Sequence, residues 1–308
     1  MAFTAADVKA LREKTGVGMM DCKKALTEAD GDMDRAIDVL REKGLAASAK
    51  KAGRIAAEGI VLAYTDEAKK VSVLVEVNSE TDFVAKNEKF VNYVTAVAKT
   101  IADTNPADVD ELLTKPLAGD TRTVQENLQD MVLSIGENMK IRRFERVEGI
   151  TTSYIHGSGS VGVLVMFDTD DKTAATDAFK VMGKDVAMQI AAMSPAYLDE
   201  ASVPADVLAH EKEITKAQLA EDPKMAGKPE QVLAKIVDGK IGKYFKENCL
   251  LDQAFVKDGD MNVAKYVASV AKELGADIKV TGFIRYAKGE GLEKREDDFA
   301  AEVASMMK

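Results

Sequence analysis

The 308-residue sequence has no tryptophan, two cysteines, two histidines and six prolines, and each shortage removes a class of chemistry. Cys22 and Cys249 lie far apart with no C-x-x-C, so their spacing supports neither a disulfide framework nor a zinc site, and a buried thiol is the default for each. His210-Glu211 does not continue to H-E-x-x-H, and His156 reads as a surface turn residue. No hydrolytic triad can be assembled, so no catalytic residue, metal or cofactor is assigned. Apolar runs are short as well: residues 161–167 contain a glycine and fall far below the roughly 20 residues of a spanning helix. The first residues carry neither a charged region followed by an apolar core nor an Arg-rich transit pattern, so the chain reads as cytoplasmic, with no membrane contact expected. A net charge of −10 makes a nucleic-acid polyanion a poor partner.

What remains is an ordinary globular composition, 46% hydrophobic and 31% charged, which excludes wholesale disorder. The length suggests two or three domains, at roughly 100–200 residues each. Residues 1–54 read as a three-helix module. Thr4 and Asp7 form a capping-box pattern, and Val8 and Leu11 follow at helical spacing. Residues 15–18 break that helix, a second runs from about Met19 to Glu28, and Asp32 caps a third that is expected to stop at Gly44. Lys43, Lys50, Lys51 and Arg54 then suggest a basic linker to residue 57.

The middle of the chain hides a repeat. Residues 58–75 lie over 148–165 at a constant offset of 90, with 8 of 18 residues identical. Each copy reads as a β-hairpin followed by a helix, the first marked by Phe90, Val94, Val97, Ala98 and Ile101, the second by Phe179, Met182, Val186 and Ile190. An added helix carries Val124, Leu128, Met131, Val132 and Ile135 on one face. Two charged helical stretches, 206–220 and 230–247, flank a Pro-rich break in the pattern of an antiparallel helical hairpin. A helix from Val263, a strand to Tyr286 and a last amphipathic helix with Phe299, Val303 and Met306 complete the chain. The fold class is α+β: a three-helix module (1–54), a first core subdomain (55–143), a second (144–194, completed by about 249–262 and the 278–287 strand), a helical hairpin (195–248) and a C-terminal module (263–308).

Two motifs invite a functional reading. Gly157-Ser158-Gly159-Ser160-Val161-Gly162 satisfies G-x-G-x-x-G, but a dinucleotide site needs a strand before and a helix after, and here a strand follows. V-A-I-K, H-R-D, D-F-G and G-x-x-x-x-G-K-[ST] are all absent, which leaves a glycine-rich hairpin turn. The second motif is Glu76-Val77-Asn78-Ser79-Glu80-Thr81-Asp82-Phe83-Val84-Ala85-Lys86. Thr81 or Asp82 suits the N-cap of the next helix with Phe83 folded inward, and periodicity favours this. The alternative sets Asp82 and Phe83 on a turn as an acidic and aromatic wedge.

The second motif resembles a signature of translation elongation factor Ts, and residues 11–26, L-R-E-K-T-G-V-G-M-M-D-C-K-K-A-L, resemble that family's other signature. Residues 135–143, 153–157 and 280–285 are similar to it too, so the resemblance covers essentially the whole chain. It implies a guanine-nucleotide exchange factor, not an enzyme with its own catalytic site, acting on elongation factor Tu in its GDP-bound and nucleotide-free forms. It implies a module similar to the ubiquitin-associated fold at 1–54 and a coiled-coil hairpin at 195–248 of the kind used for homodimerisation. It assigns Thr81, Asp82, Phe83 and Val84 to dislocating the partner's magnesium, reversing the preference for a plain cap. It assigns further partner contacts to Lys9, Arg12, Met19, Met20, Lys23, Ile135, Gly136, His156 and Val256. Core packing is the alternative for the two methionines. Where an apolar contact pair is expected near Val256, the chain continues with Lys257, which is not carried over. The competing classes are a docking adaptor without exchange activity and a nucleotide-using enzyme built on residues 157–162. Titration of the protein with ATP, GTP and NAD is expected to show no saturable binding, and saturation by any of them would restore the enzyme reading.

Overall fold

A computed structural model of the chain describes residues 3–15, 17–223, 225 and 228–293. The chain opens with three helices, α1 (Ala5–Thr15), α2 (Met19–Glu28) and α3 (Met33–Lys51). The Thr4–Asp7 capping box forms: the Thr4 N–H donates to Asp7 Oδ2 at 2.7 Å and the Asp7 N–H to Thr4 Oγ1 at 3.4 Å. Asp32 accepts from the Arg35 N–H at 2.9 Å and caps α3. Val8, Leu11, Cys22, Leu26, Ala36 and Leu40 bury together as the module's own core.

The chain continues through β1 (Glu58–Asp66), β2 (Val71–Ser79), α4 (Asp82–Ala85), α5 (Glu88–Thr104), α6 (Val109–Thr114), α7 (Val124–Ile135) and β3 (Met139–Glu148). Next come β4 (Ile150–His156), β5 (Val161–Asp168), α8 (Asp171–Ala174), α9 (Asp177–Met193), α10 (Ala205–Glu221) and α11 (Glu230–Asn248). Last are β6 (Ala254–Phe255), β7 (Asp258–Asn262), α12 (Val263–Leu274) and β8 (Lys279–Ala287). The expected helix with Phe299, Val303 and Met306 lies outside the described residues. No helix among the described residues is long and apolar enough to cross a membrane.

The chain divides into two compact units, the described parts of Met1–Val147, Ile155–Gly162 and Tyr286–Lys308 in one, and Glu148–Tyr154 with Val163–Arg285 in the other. In the first unit a sheet of order β1-β2-β3 lies under α5. β1 and β2 pair antiparallel with Leu62 opposite Val75. All nine residues of β2 are buried, as suits a central strand covered on both faces. Phe90, Val94, Val97, Ala98 and Ile101 of α5 pack on Val73, Val75 and Val77. A second sheet has the order β4-β5-β8. In the second unit Phe179, Met182, Val186 and Ile190 of α9 are buried, and α10 and α11 pack through Leu219, Val237 and Ile241.

The repeat extends to the backbone. Gly59 and Gly149, 90 apart, share positive φ (111° and 103°), and α5 and α9 both end on a left-handed cap, Asn105 (φ 45°) and Ser194 (φ 47°). Two expectations need correction. Gly44 does not stop α3, which runs to Lys51 through the expected linker. Ala46, Ala47 and Ala49 favour helix, and a Cβ at Gly44 would lie 3.6 Å from the Gln129 carbonyl oxygen, so α3 packs closely on α7 and is held there. The 143/144 boundary falls inside β3, a strand whose basic residues mask any apolar alternation.

Those basic residues serve Glu76. Its side chain, in the middle of β2, has no solvent exposure and accepts from Arg142 Nη1 at 3.1 Å, Arg143 Nε at 2.7 Å, Asn78 Nδ2 at 3.1 Å and the Gly289 N–H at 2.8 Å. Burial pushes this carboxyl's pKa up, but the Gly289 N–H, the Asn78 amide and Arg143 outweigh it and hold the group below the usual carboxylate range. Glu76→Gln keeps the shape but removes the carboxylate from Arg142 and leaves Arg143 only the looser pair with Glu290 at 3.6 Å, so chemical denaturation at pH 7 is expected to show a loss of about 3 kcal/mol. Because the folded pKa lies below the unfolded one, the carboxylate's contribution is complete above roughly pH 5 and is lost as pH falls through the lowered value. The gap between wild type and variant should therefore narrow on acidification, and a gap independent of pH would contradict this account.

Candidate functional site

Beyond β2 the chain is tied sideways to the turn that joins α7 to β3. α7 ends on Gly136, which adopts φ 90° with open space around it, a conformation that strains any side chain. Glu137 follows, and its carboxylate grips Thr81 twice: Oε2 accepts from the Thr81 N–H at 3.0 Å and Oε1 from the Thr81 hydroxyl at 2.7 Å. Glu80 reaches the other way, its Oε1 accepting from the Asn138 N–H at 2.6 Å and from Arg54 Nη1 at 3.4 Å. Asn138 Nδ2 in turn donates to the Arg54 carbonyl at 2.8 Å, so the segment after α3 joins the same cluster.

On this base stands α4, a single turn. Val84 drops into the core between sheet and α5, while Phe83, its neighbour on the opposite side, is 79% exposed. The expectation that Phe83 folds inward under a simple cap is therefore overturned. α5 has its own cap one turn later, Asn87 Oδ1 accepting from the Lys89 N–H at 2.9 Å. Thr81 occupies the N-cap position of α4, but its side chain makes no cap bond. Asp82 accepts from Lys86 Nζ at 2.8 Å, and this hydrogen bond lowers its carboxyl pKa.

The second copy supplies an internal comparison. There α8 is capped locally, Asp170 Oδ1 accepting from the Thr173 N–H at 2.9 Å, with Thr173 buried and Lys172 where the first copy has Phe83. The same turn occurs twice, and one copy presents an aromatic ring to solvent.

The structure brings Ile135 and Gly136 beside this turn through Glu137, Ile135 half-buried and Gly136 exposed. Lys9, Arg12, Met19, Met20 and Lys23 are all exposed on α1 and α2. The core-packing alternative for the methionines is overturned, since Met19 is 46% and Met20 63% exposed while Cys22, Ala25 and Leu26 fill the interior. Met19 and Lys23 border a shallow groove of about 280 Å³ with Phe3 and Val8. His156 is exposed at the end of β4, ahead of a turn with positive φ at Gly157, Ser158 and Gly159. A strand follows that turn, so the glycine match is a hairpin tip, and its Gly159 carbonyl accepts from the Val61 N–H at 2.8 Å. Val256 belongs to the second unit, 49% exposed between β6 and β7, its N–H bonded to Gln189 Oε1 at 2.8 Å. Lys257 is used internally, paired with the buried Asp185 at 2.6 Å. Both cysteines are buried, and burial pushes the Cys249 thiol up to about 11. Among the described residues no group of three His, Cys, Asp or Glu side chains is placed to hold a metal ion. Glu80, Glu137, Asn138 and Arg54 carry no local signal in the sequence, because each acts on a residue 26 or more positions away.

Phe83→Ala removes a ring that touches little of its own chain and is expected to leave the denaturation midpoint unchanged. Val84→Ala should cost about 2 kcal/mol by emptying a core position. Chemical denaturation of the two variants side by side checks the division of labour, and a destabilised Phe83→Ala would contradict it.

Comparison with known proteins gives the family. Residues 80–290 match the family described as Elongation factor TS, a span that starts at the site turn and ends at Glu290. The chain is 53% identical to elongation factor Ts of Clostridium perfringens (strain 13 / Type A) over 307 residues, 99% of both chains. It is 52% identical to that of Clostridium kluyveri (strain ATCC 8527) over 305 residues, 98% of this chain and 97% of the relative. With elongation factor Ts of Clostridium novyi it shares 49% over 308 residues, 99% and 98% of the two. Identity near one half across nearly the full length, together with a family pattern that begins at the clamped turn, means that the chain belongs to the elongation factor Ts family.

Proposed function

We propose that the chain is the guanine-nucleotide exchange factor of translation elongation, binding elongation factor Tu with GDP in the cytoplasm and driving GDP out. It acts on its partner's nucleotide site and has no catalytic site of its own. An exchange factor need not touch the nucleotide. It must bind the nucleotide-free partner more tightly than the GDP-bound one, and by linkage that difference is the free energy that expels GDP.

The observation that carries this reading is the exposed Phe83 on a one-turn helix whose base is fixed from both sides. An aromatic ring held out on a rigid turn is suited to enter a gap in a partner and keep it open. Phe83 is the wedge near the partner's magnesium, which neutralises the phosphates of GDP. Asp82 sets the charge beside the ring, Thr81 fixes the turn, and Val84 anchors it. The other contacts fall to Ile135, Gly136 and His156, to Lys9, Arg12, Met19, Met20 and Lys23 on the helices of residues 1–54, and to Val256. The hairpin of residues 195–248 is assigned to homodimerisation.

Stopped-flow release of a fluorescent GDP analogue from elongation factor Tu tests the reading. Wild type should accelerate release strongly and Phe83→Ala at least tenfold less, the scale expected when about 1.5–3 kcal/mol of aromatic burial is withdrawn. No acceleration by wild type would leave the adaptor reading. Equal acceleration by both would keep the function and remove the wedge.

A further inference from the structure

We infer that Glu137 is a positioning residue for the Phe83 wedge: its carboxylate, by gripping the Thr81 N–H and hydroxyl together, sets the direction in which α4 presents the ring. The inference rests on the proposed exchange activity and adds a residue to which no partner contact has been assigned.

The geometry is specific. A one-turn helix has no internal ladder to fix its axis, so its orientation depends on what holds its first residue. In α8 the first turn is capped locally, Asp170 taking both the N–H and the hydroxyl of Thr173 three residues on. In α4 the cap position is given up. The Thr81 hydroxyl, free to turn inward and cap, points instead to Glu137 Oε1 at 2.7 Å, with the backbone N–H on Oε2 at 3.0 Å. Two bonds to one planar carboxylate fix rotation as well as distance, and bonds to a charged acceptor are the stronger kind. Glu80 repeats the link in the opposite direction through the Asn138 N–H at 2.6 Å. A turn that needed only stability would use the local cap of its counterpart. This one spends charged, long-range bonds on orientation, in the copy that carries an aromatic ring.

The holder matters because a ring on a loose turn must be ordered on binding, which subtracts from the energy its burial supplies. Glu137 therefore acts on the rate of nucleotide release through Phe83, with little effect on docking by the other contacts.

The test is a double-mutant cycle on GDP release, using the full chain with elongation factor Tu. Glu137→Ala and Thr81→Val are each expected to lower the maximal release rate about tenfold, with the half-saturating concentration changed less than about twofold. Thr81→Ser keeps the hydroxyl and should restore most of the rate. In the Phe83→Ala background, Glu137→Ala should add nothing further, because a residue that acts only through the ring has nothing left to position. A full additional loss in that background, or a Glu137→Ala variant as fast as wild type, would overturn the inference. Should Glu137→Ala unfold, as judged by circular dichroism, the Thr81→Val and Thr81→Ser pair decides by the same criteria. Failure of the underlying reading looks different: wild type itself would release no GDP.

Discussion

The Glu76 carboxylate sits in the middle of β2 with no exposure to water, and desolvating such a charge costs several kcal/mol unless its acceptor sites are filled. They are filled from β3 by Arg142 and Arg143, from β2 by Asn78, and from the returning chain by the Gly289 N–H. The Arg143 guanidinium also lies over the Tyr286 ring, 4.1 Å from its centre. One anion thus locks two neighbouring strands and the segment after β8. The consequence reaches the candidate site. Thr81 and Glu137 lie five residues from Glu76 and Arg142, in opposite chain directions, so the two chain segments that meet at Glu76 meet again at the Thr81–Glu137 clamp.

The turn itself divides adjacent residues between opposite tasks. Val84 contributes to the core as its counterpart Thr173 does, while Phe83 stands in solvent where Lys172 stands in the other copy. An exposed aromatic gains nothing for the fold, since the hydrophobic contribution needs area removed from water. Single exposed apolar side chains are common on protein surfaces and need no explanation. Phe83 differs because the backbone beneath it is over-determined: the Glu137 carboxylate grips Thr81, and the Asn138 N–H and the Arg54 guanidinium converge on Glu80.

Legibility in the sequence followed the range of the interaction. The stripes of α5 and α9, the Asp32 and Thr4 caps and the repeated hairpin are local patterns, and each reads directly from spacing. β3 does not, because Lys140, Arg142, Arg143, Glu145 and Arg146 break its alternation, and the carboxylate that accommodates Arg142 and Arg143 lies 66 and 67 residues away. The length of α3 was hidden for a similar reason: Gly44 ends a helix by local rules and continues one when another helix packs against it. Phe83 marks the limit of periodicity. Over one turn there is no period to count, so an aromatic at a helix start reads as core. The resemblance to a known family supplied the importance of residues 81–84, but not the carboxylate that holds them.

On the proposed reading, the free energy available from Phe83 can be bounded. Moving a phenyl ring from water into a partner yields about 1.5–3 kcal/mol, a factor of roughly 10–150 in an equilibrium. In the free chain the ring has little to give up, so nearly all of that counts toward binding. It counts toward exchange only if the gap that receives it is open in the nucleotide-free partner and closed in the GDP-bound one, because a contact made equally in both states shifts nothing. A single ring cannot by itself supply the coupling needed to empty a tightly held nucleotide site. The exposed residues of α1 and α2 and Val256 must then contribute affinity in both states, holding the partner in place while the ring discriminates between them. Docking and discrimination are thereby assigned to different elements of the chain, and the rigid base under α4 is what keeps the discriminating element from being spent on docking.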